Sequence, residues 1–289
     1  MNTSQEETIK HFVEWATQQD SVRAMLMTST RAIPNGVIDI LSDYDLILVA
    51  TDIYTFFNSR DWLAAFGRVL ALYRDPIVRD GDFEKVGYVV QFEDGLKIDF
   101  LIWPIGLLHR IADEPQLPQE LDAGYRVLLD KDTLTGDLKS PSHRGYIPAP
   151  PTETRYHEVI EVFFLDTFYV AKYLWRGDII AAKHILDAML KQEELLPMLE
   201  WHAEIDHHWS VSPGPYGRRL QQWLRPDLYA ELESTYTGAS VEANWDALFR
   251  TISLMHRTAI EVGEHLGYSY PYDLDQRAMA YVHKIKNLT

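Results

Sequence analysis

The sequence predicts an α+β protein, an α/β first half followed by an all-helical second half. Three observations carry that reading. Helix-spaced and strand-like apolar runs alternate over the first hundred or so residues. Four prolines then fall within the twelve residues Ser140 to Pro151, and proline can continue neither a helix nor a central strand. Beyond them the apolar residues recur in threes and fours, the spacing of helix faces. The expected domains are residues 1–148 and 149–289.

The elements follow in order. Ser4 and Glu7 have the spacing of a capping box, and Ile9, Phe12, Val13 and Ala16 continue at helical spacing, so a first helix is expected over about 4–18. Ala24 to Ser29 is a short apolar strand. Thr30 to Leu41 is a loop punctuated by Pro34, Asn35 and Gly36. Asp45 to Val49 is a second strand, apolar on both faces as a buried strand is. Trp62, Leu63, Phe66 and Leu70 line one side of an expected helix over 61–72. Tyr88 to Phe92 and Leu96 to Trp103 are strands joined by Glu93-Asp94-Gly95, a strong hairpin signal. After the prolines, Thr154 to Trp175 is a long helix, which Gly177 ends before Asp178 caps the next. Further helices are expected over about 178–191, 194–209, 227–236, 242–266 and 275–287.

Composition narrows the function. The chain has 289 residues, 46% of them apolar, enough to bury a full core. It has no cysteine, which removes disulfides, thiolate metal sites and a cysteine nucleophile, and fits a reducing compartment. The first residues lack the basic and apolar regions of a signal peptide, so a cytoplasmic location is expected. The 43 acidic and 27 basic side chains give a net charge of −16. Such a surface repels nucleic-acid phosphates and attracts polycations. No Gly-x-Ser-x-Gly and no Walker-type loop is present.

Three aspartates stand out. Asp43 and Asp45 directly precede the run Leu46-Ile47-Leu48-Val49, and Asp99 lies in Lys97-Ile98-Asp99-Phe100-Leu101. A strand repeats every two residues, so Asp43 and Asp45 share a face. Carboxylates so gathered repel unless a cation lies between them, and hard oxygen ligands suit Mg²⁺, which is commonly held by one or two carboxylates plus substrate phosphates. A third carboxylate from a neighbouring strand completes a site for two metals able to clamp a displacement at phosphorus. An aspartate inside an apolar strand, as at Asp99, is costly unless something compensates it.

In the order of these features the chain resembles the nucleotidyltransferase superfamily of polymerase-β type, and more closely the aminoglycoside 6-adenylyltransferases, also called streptomycin adenylyltransferases. The resemblance rests on Leu41-Ser42-Asp43-Tyr44-Asp45, Ser59-Arg60-Asp61-Trp62-Leu63, Phe92-Glu93-Asp94-Gly95-Leu96-Lys97-Ile98-Asp99, Tyr169-Val170-Ala171-Lys172-Tyr173-Leu174-Trp175-Arg176 and Leu266-Gly267-Tyr268-Ser269-Tyr270-Pro271. It implies a nucleotidyltransferase domain with a mixed sheet, then a helical substrate-binding domain, with the active site between them. It also implies transfer of AMP from ATP to a hydroxyl of an aminoglycoside, the 6-hydroxyl of streptomycin foremost, which confers resistance. Asp43 and Asp45 would then hold Mg²⁺ on the triphosphate, and Asp99 would act as general base, as ligand to a second Mg²⁺, or as both. The family usually has Gly-Ser-Arg where this chain has Ser29-Thr30-Arg31. The serine adds a Cβ where glycine lets backbone approach the phosphates, while Thr30 keeps a hydroxyl.

Other residues are open to two readings. Arg31, Lys172 and Arg176 are cations for the phosphates of ATP; Lys172 and Arg176 share a helix face and equally suit a solvated one. Glu200 and Glu204, with Glu194 and Asp206 nearby, can take the ammonium and guanidinium groups of a cationic substrate, and Trp201 or Trp209 can stack on it; a plain acidic face with Trp in the core is the alternative. His202, His207 and His208 lack zinc spacing. Rival functions are a nucleotidyltransferase acting on another small hydroxylated molecule, and a homologue that binds nucleotide or drug without chemistry.

Overall fold

The computed structural model describes residues 5–34 and 36–288. Ser4 of the expected capping box and Asn35 of the expected loop lie outside them. The chain divides into two compact units between Tyr146 and Ile147, within the proline-rich stretch.

The first unit is built on a mixed seven-stranded sheet in the order β3-β5-β6-β2-β1-β7, with β4 paired to β5. The strands are β1 (Val22–Thr28), β2 (Tyr44–Ala50), β3 (Val69–Arg74), β4 (Val78–Asp80), β5 (Phe83–Phe92), β6 (Lys97–Pro104) and β7 (Arg126–Asp130). Every pairing is antiparallel except that of β2 with β6. Both faces of the sheet are covered. Tyr44, Leu46, Leu48, Ile98, Phe100 and Ile102 face a core shared with Phe12, Trp15 and Phe66. Ile47, Val49, Leu101 and Trp103 face a second core with Leu107, Leu108 and Ile111 of the helix Ile105–Asp113. This double burial is why β2 and β6 read as unbroken apolar runs rather than alternating ones. The hairpin between β5 and β6 turns as expected: Gly95 takes φ +96°, and Asp94 Oδ1 accepts the Leu96 N–H at 3.0 Å.

The helix expected over 61–72 is not one element. Asp61–Phe66 is a 3-10 turn, Gly67 breaks it at φ +135°, and Val69–Arg74 is the sheet's edge strand. An edge strand leaves Leu70 and Tyr73 exposed, and their spacing from Phe66 imitates a helix face. Strands β4 and β7 and the helix Ile105–Asp113 carried no recognised pattern.

The second unit is helical. Glu153–Arg176 is capped by the Thr152 hydroxyl and ends on Gly177 at φ +77°. Asp178 makes no side-chain cap for the next helix, contrary to the expectation. The two helices expected over 178–191 and 194–209 run on as one path: Ile179–Lys183, a π-helical stretch His184–Leu195, then Leu196–Asp206. That stretch buries Lys191, whose ammonium donates to Asp187 at 2.7 Å and to the Thr235 carbonyl at 2.8 Å. Val241–Leu266 and Tyr272–Lys286 complete the core. Among the described residues no helix is long and apolar enough to cross a membrane.

Candidate active site

Strand parity and register assemble the acid cluster. β2 and β6 run parallel with Asp45 directly opposite Asp99, and Thr28 of β1 lies opposite Asp45 on its other side. Asp45 shares the sheet face of Ile47 and Val49, and Asp99 that of Leu101 and Trp103. Lys97, two residues before Asp99, projects from the same face. Asp45, Asp99 and Lys97 sit at the beginnings of their strands, where the side chains become half-buried, and the buried Thr28 ends the antiparallel β1 beside them. Tyr44 turns the other way. It is buried, meets Phe12 edge-on at 5.2 Å and so fixes the direction in which its two aspartate neighbours point.

Two of the three carboxylates, those of Asp43 and Asp99, share one amine. Lys97 Nζ lies 2.6 Å from Asp43 Oδ2, and 3.1 and 3.2 Å from Asp99 Oδ1 and Oδ2. Burial, and then the charge of Asp99, push the Asp45 carboxyl up to about 6, against a hydrogen bond from Ser29 that works to lower it. Burial also raises Asp99 in spite of its bonds to Lys97. Burial works to lower the Lys97 ammonium, but its bonds to Asp43 and Asp99 outweigh that and leave it raised. The ammonium pairs with Asp43 and Asp99, and with Asp45 nearby the four ionised side chains carry a surplus of two negative charges. Asp99 Oδ1 is buried and meets the ammonium only as an ion pair, without hydrogen-bond geometry.

The turn after β1 supplies the remaining parts. Ser29 adopts φ +58° and opens the 3-10 turn Ser29–Arg31. The left-handed region is unusual for a residue bearing a Cβ and is glycine's natural place. The serine returns something: its hydroxyl bonds Asp45. A Cβ on Gly36 would lie 2.0 Å from the Thr30 carbonyl oxygen, so only glycine lets the following loop close on this turn. Arg31 donates through Nε to the Asp43 carbonyl at 2.8 Å and through a terminal nitrogen to the Ser42 carbonyl at 2.7 Å, with its guanidinium carbon 3.8 Å above the Tyr44 ring. Those contacts make it a clamp on the backbone that carries Asp43. A concavity at the far end of β2, lined by Asp52, Tyr54, Arg79, Asp82 and Glu84, is separate from this cluster, and Tyr54 and Arg79 are both engaged with Glu84 there.

The helical unit holds the other sequence candidates. Lys172 is half-buried, its amine 5.6 Å from the Tyr169 ring centre, and Arg176 is exposed at the end of the same helix. Glu200 and Glu204 lie one turn apart on Leu196–Asp206. Glu204 is fully buried and Glu200 partly so; burial, then the charge of Glu204, push Glu200 up to about 7. Trp201 is buried within the helical core, which argues for packing rather than stacking on a ligand. Glu194 is buried too and raised to about 7, first by burial and then by Asp166 of the neighbouring helix, a partner that sequence reasoning missed. The histidines go separate ways: His202 bonds Glu261 at 2.6 Å, His207 the Trp223 carbonyl at 3.1 Å, and His208 is exposed. Lys97 was also missed as a site residue, although its offset of two from Asp99 put it on the same face.

The model of the family described as Streptomycin adenylyltransferase matches residues 1–285. The chain belongs to the streptomycin adenylyltransferase family. It is 28% identical over 285 residues to an aminoglycoside 6-adenylyltransferase of Bacillus subtilis (strain 168), covering 98% of each chain. It is 27% identical to one of Campylobacter jejuni, covering 96% of this chain and 94% of the other. A crystal structure of an aminoglycoside 6-adenyltransferase from Bacillus subtilis aligns over 99% of both chains at 25% identity, with a TM-score of 0.49. By this membership the chain is an aminoglycoside adenylyltransferase, a nucleotidyltransferase enzyme with ATP as co-substrate.

The family implies a divalent metal. Among the described residues no three carboxylate or imidazole groups already converge as a metal cage. The chemistry of the donors suits Mg²⁺ nonetheless: all-oxygen ligands, a buried Asp99 oxygen that accepts no hydrogen bond, surplus negative charge, and an ammonium standing between Asp43 and Asp99 as a cation would.

Proposed function

We propose that this enzyme transfers AMP from ATP to a hydroxyl of an aminoglycoside, the 6-hydroxyl of streptomycin, and so confers resistance in the cytoplasm. The observation that carries the reading is the in-register pair Asp45 and Asp99 on parallel strands, with Asp43 beside them, in a chain of this family. Attack of the hydroxyl oxygen on the α-phosphorus forms the new P–O bond as the bond to pyrophosphate breaks. Asp43 and Asp45 are the proposed Mg²⁺ ligands, with Asp99 available to a second ion; Mg²⁺ so held neutralises charge on the triphosphate.

Asp99 is the proposed general base. Its carboxylate accepts the hydroxyl proton, and the upward push that burial gives its pKa brings it nearer the value at which a base works at neutral pH. Thr30 and the backbone of the Ser29–Arg31 turn are the proposed contacts to phosphate, while Arg31 holds the Asp43 carbonyl in position. Lys172 and Arg176 are the cations proposed for phosphate on the helical unit. Glu200 is proposed to meet a cationic group of the substrate, with Glu204 and Trp201 behind it as buried support.

Pyrophosphate release from ATP and Mg²⁺, measured against a panel of aminoglycosides, tests the proposal. Streptomycin-dependent release with a product heavier by one adenylyl group is the expected result. Release that depends only on a different hydroxylated acceptor, or nucleotide binding with no release for any acceptor, overturns it.

A further inference from the structure

Lys97 is the residue at the acid cluster for which the proposed reaction gives no part. Its ammonium bridges Asp43 and Asp99, with contacts of 2.6 Å to one and 3.1–3.2 Å to the other. Asp43 is a proposed ligand of the first divalent ion and Asp99 of a second, so the amine occupies oxygens of both. An ammonium donates up to three hydrogen bonds from one positive charge, and it keeps each oxygen at hydrogen-bond distance. Mg²⁺ needs its oxygens at about 2.1 Å from the ion. The two cations compete for one place. With the amine present Asp43 and Asp99 are held together across it. Without any cation, Asp43 and Asp99 would face one another with no partner between them.

Lys97 is also able to leave. It is the first residue of β6, directly after the hairpin turn, and its four-carbon stem can swing without moving the strand. Its side chain is 29% exposed, so the amine has a route toward solvent. Leaving alone would strand a charge that had two partners. Leaving when a triphosphate is present gives the ammonium a phosphate oxygen in exchange.

We propose that Lys97 is a built-in counter-cation of the metal site: it holds Asp43 and Asp99 in the metal-free enzyme, and it yields to the divalent ion when the nucleotide arrives to receive it. This rests on the reading of the acid cluster as the metal site. The consequence is linkage. The free enzyme binds a divalent ion weakly, and metal and nucleotide bind each other's complex tightly. An enzyme so built does not hold metal idly in the absence of ATP.

Mn²⁺ serves as the probe, because its free form is counted directly by electron paramagnetic resonance. The full-length wild type, Lys97→Met, Lys97→Gln, and each combined with Asp45→Asn are titrated with Mn²⁺. Titrations are run alone and with a non-hydrolysable ATP analogue, whose own Mn²⁺ binding is measured separately. Without nucleotide, Lys97→Met is expected to bind Mn²⁺ about tenfold tighter than wild type, in the ordinary range for coupled sites, and Asp45→Asn abolishes that gain. Wild type is expected to tighten by a similar factor only with the analogue. In EDTA Lys97→Met melts below wild type, and Mn²⁺ raises its melting temperature more. Lys97→Gln, which keeps a polar head without the charge, shows the same pattern should the Met variant fail to fold. Equal Mn²⁺ affinity of wild type and both Lys97 variants, with analogue-dependent binding intact, overturns the role of Lys97 and leaves the metal site standing. So does wild type that binds Mn²⁺ equally well with and without the analogue. Absence of Asp45-dependent Mn²⁺ binding in every protein, with or without the analogue, overturns the metal site itself and the inference with it.

Discussion

Replacing Asp45 by Asn is expected to make the metal-free enzyme more stable while destroying its activity. The carboxyl is raised from its ordinary 3.8 to about 6, chiefly by burial and secondarily by Asp99. A raised acid keeps its proton longer in the fold than in the unfolded chain. As pH rises from about 4 to about 6 the unfolded chain has already released that proton and the fold has not, so stability falls through this window and levels off above it. The shift of about two units corresponds to at most ~3 kcal/mol at about 1.36 kcal/mol per unit. Partial exposure and solvent screening reduce this to ~1–2 kcal/mol. Asparagine never ionises and can still accept the Ser29 hydroxyl. At about 2–4 °C per kcal/mol for a unit of this size, Asp45→Asn should melt ~2–8 °C above wild type at pH 7.5. By pH 4.5 the gap should shrink to about a third. Calorimetric scans in EDTA at both pH values measure it. A variant that melts at or below the wild-type temperature at pH 7.5, or a gap that is the same at both pH values, refutes the account of a strained carboxylate.

Asp99→Asn should lose rate by about 10²–10⁴-fold, the usual worth of a general base, while ATP affinity changes little; steady-state kinetics beside equilibrium nucleotide binding separate the two, and the reverse pattern would make Asp99 a ligand only. At Ser29, glycine should relieve the φ +58° backbone and alanine should keep it while losing the hydroxyl. Ser29→Ala should therefore be less stable than Ser29→Gly by about 1 kcal/mol or more, and urea curves that coincide would contradict the strain. The KM for ATP should fall in Ser29→Gly, because the Cβ at the phosphate turn is gone. Glu200, raised to about 7, loses its charge as pH falls through neutrality. The KM for streptomycin should rise as pH drops from about 8 to 6, and in Glu200→Gln it should be high and flat; a parallel pH profile in the variant removes Glu200 from substrate binding.

The acid cluster was legible because its logic is local. A period of two puts Asp43 with Asp45, and an aspartate amid apolar strand residues demands compensation. What no period could reveal is that β6 pairs with β2 in parallel, which brings Asp99 opposite Asp45 rather than to the far end. Lys97 shares a face with Asp99 by its offset of two, but nothing in the spacing joins it to the other acid. Its meaning comes from Asp43, 54 residues earlier. Arg31 looked like a phosphate cation, and the loop geometry that turns it back onto the Ser42 and Asp43 carbonyls has no signature in sequence. The misread helix over 61–72 shows the limit of spacing alone, since an edge strand with one exposed face can imitate a helix across a glycine break. Burial of Trp201 agrees with the core alternative, whereas burial of Glu204 was not legible, because helix parity does not say which neighbours cover a face.

The parallel pairing of β2 with β6 also dictates when the enzyme can come into being. The two sides of the acid cluster are separated along the chain by the whole of β3, β4 and β5, and β6 lies between β5 and β2 in the sheet. A ribosome that has released only the first ninety or so residues has made two of the acids and nothing to match them. A chain nicked in the loops between the two strands would present each fragment with an incomplete set of charges. Activity regained by mixing such fragments would therefore report re-formation of the central sheet as a unit.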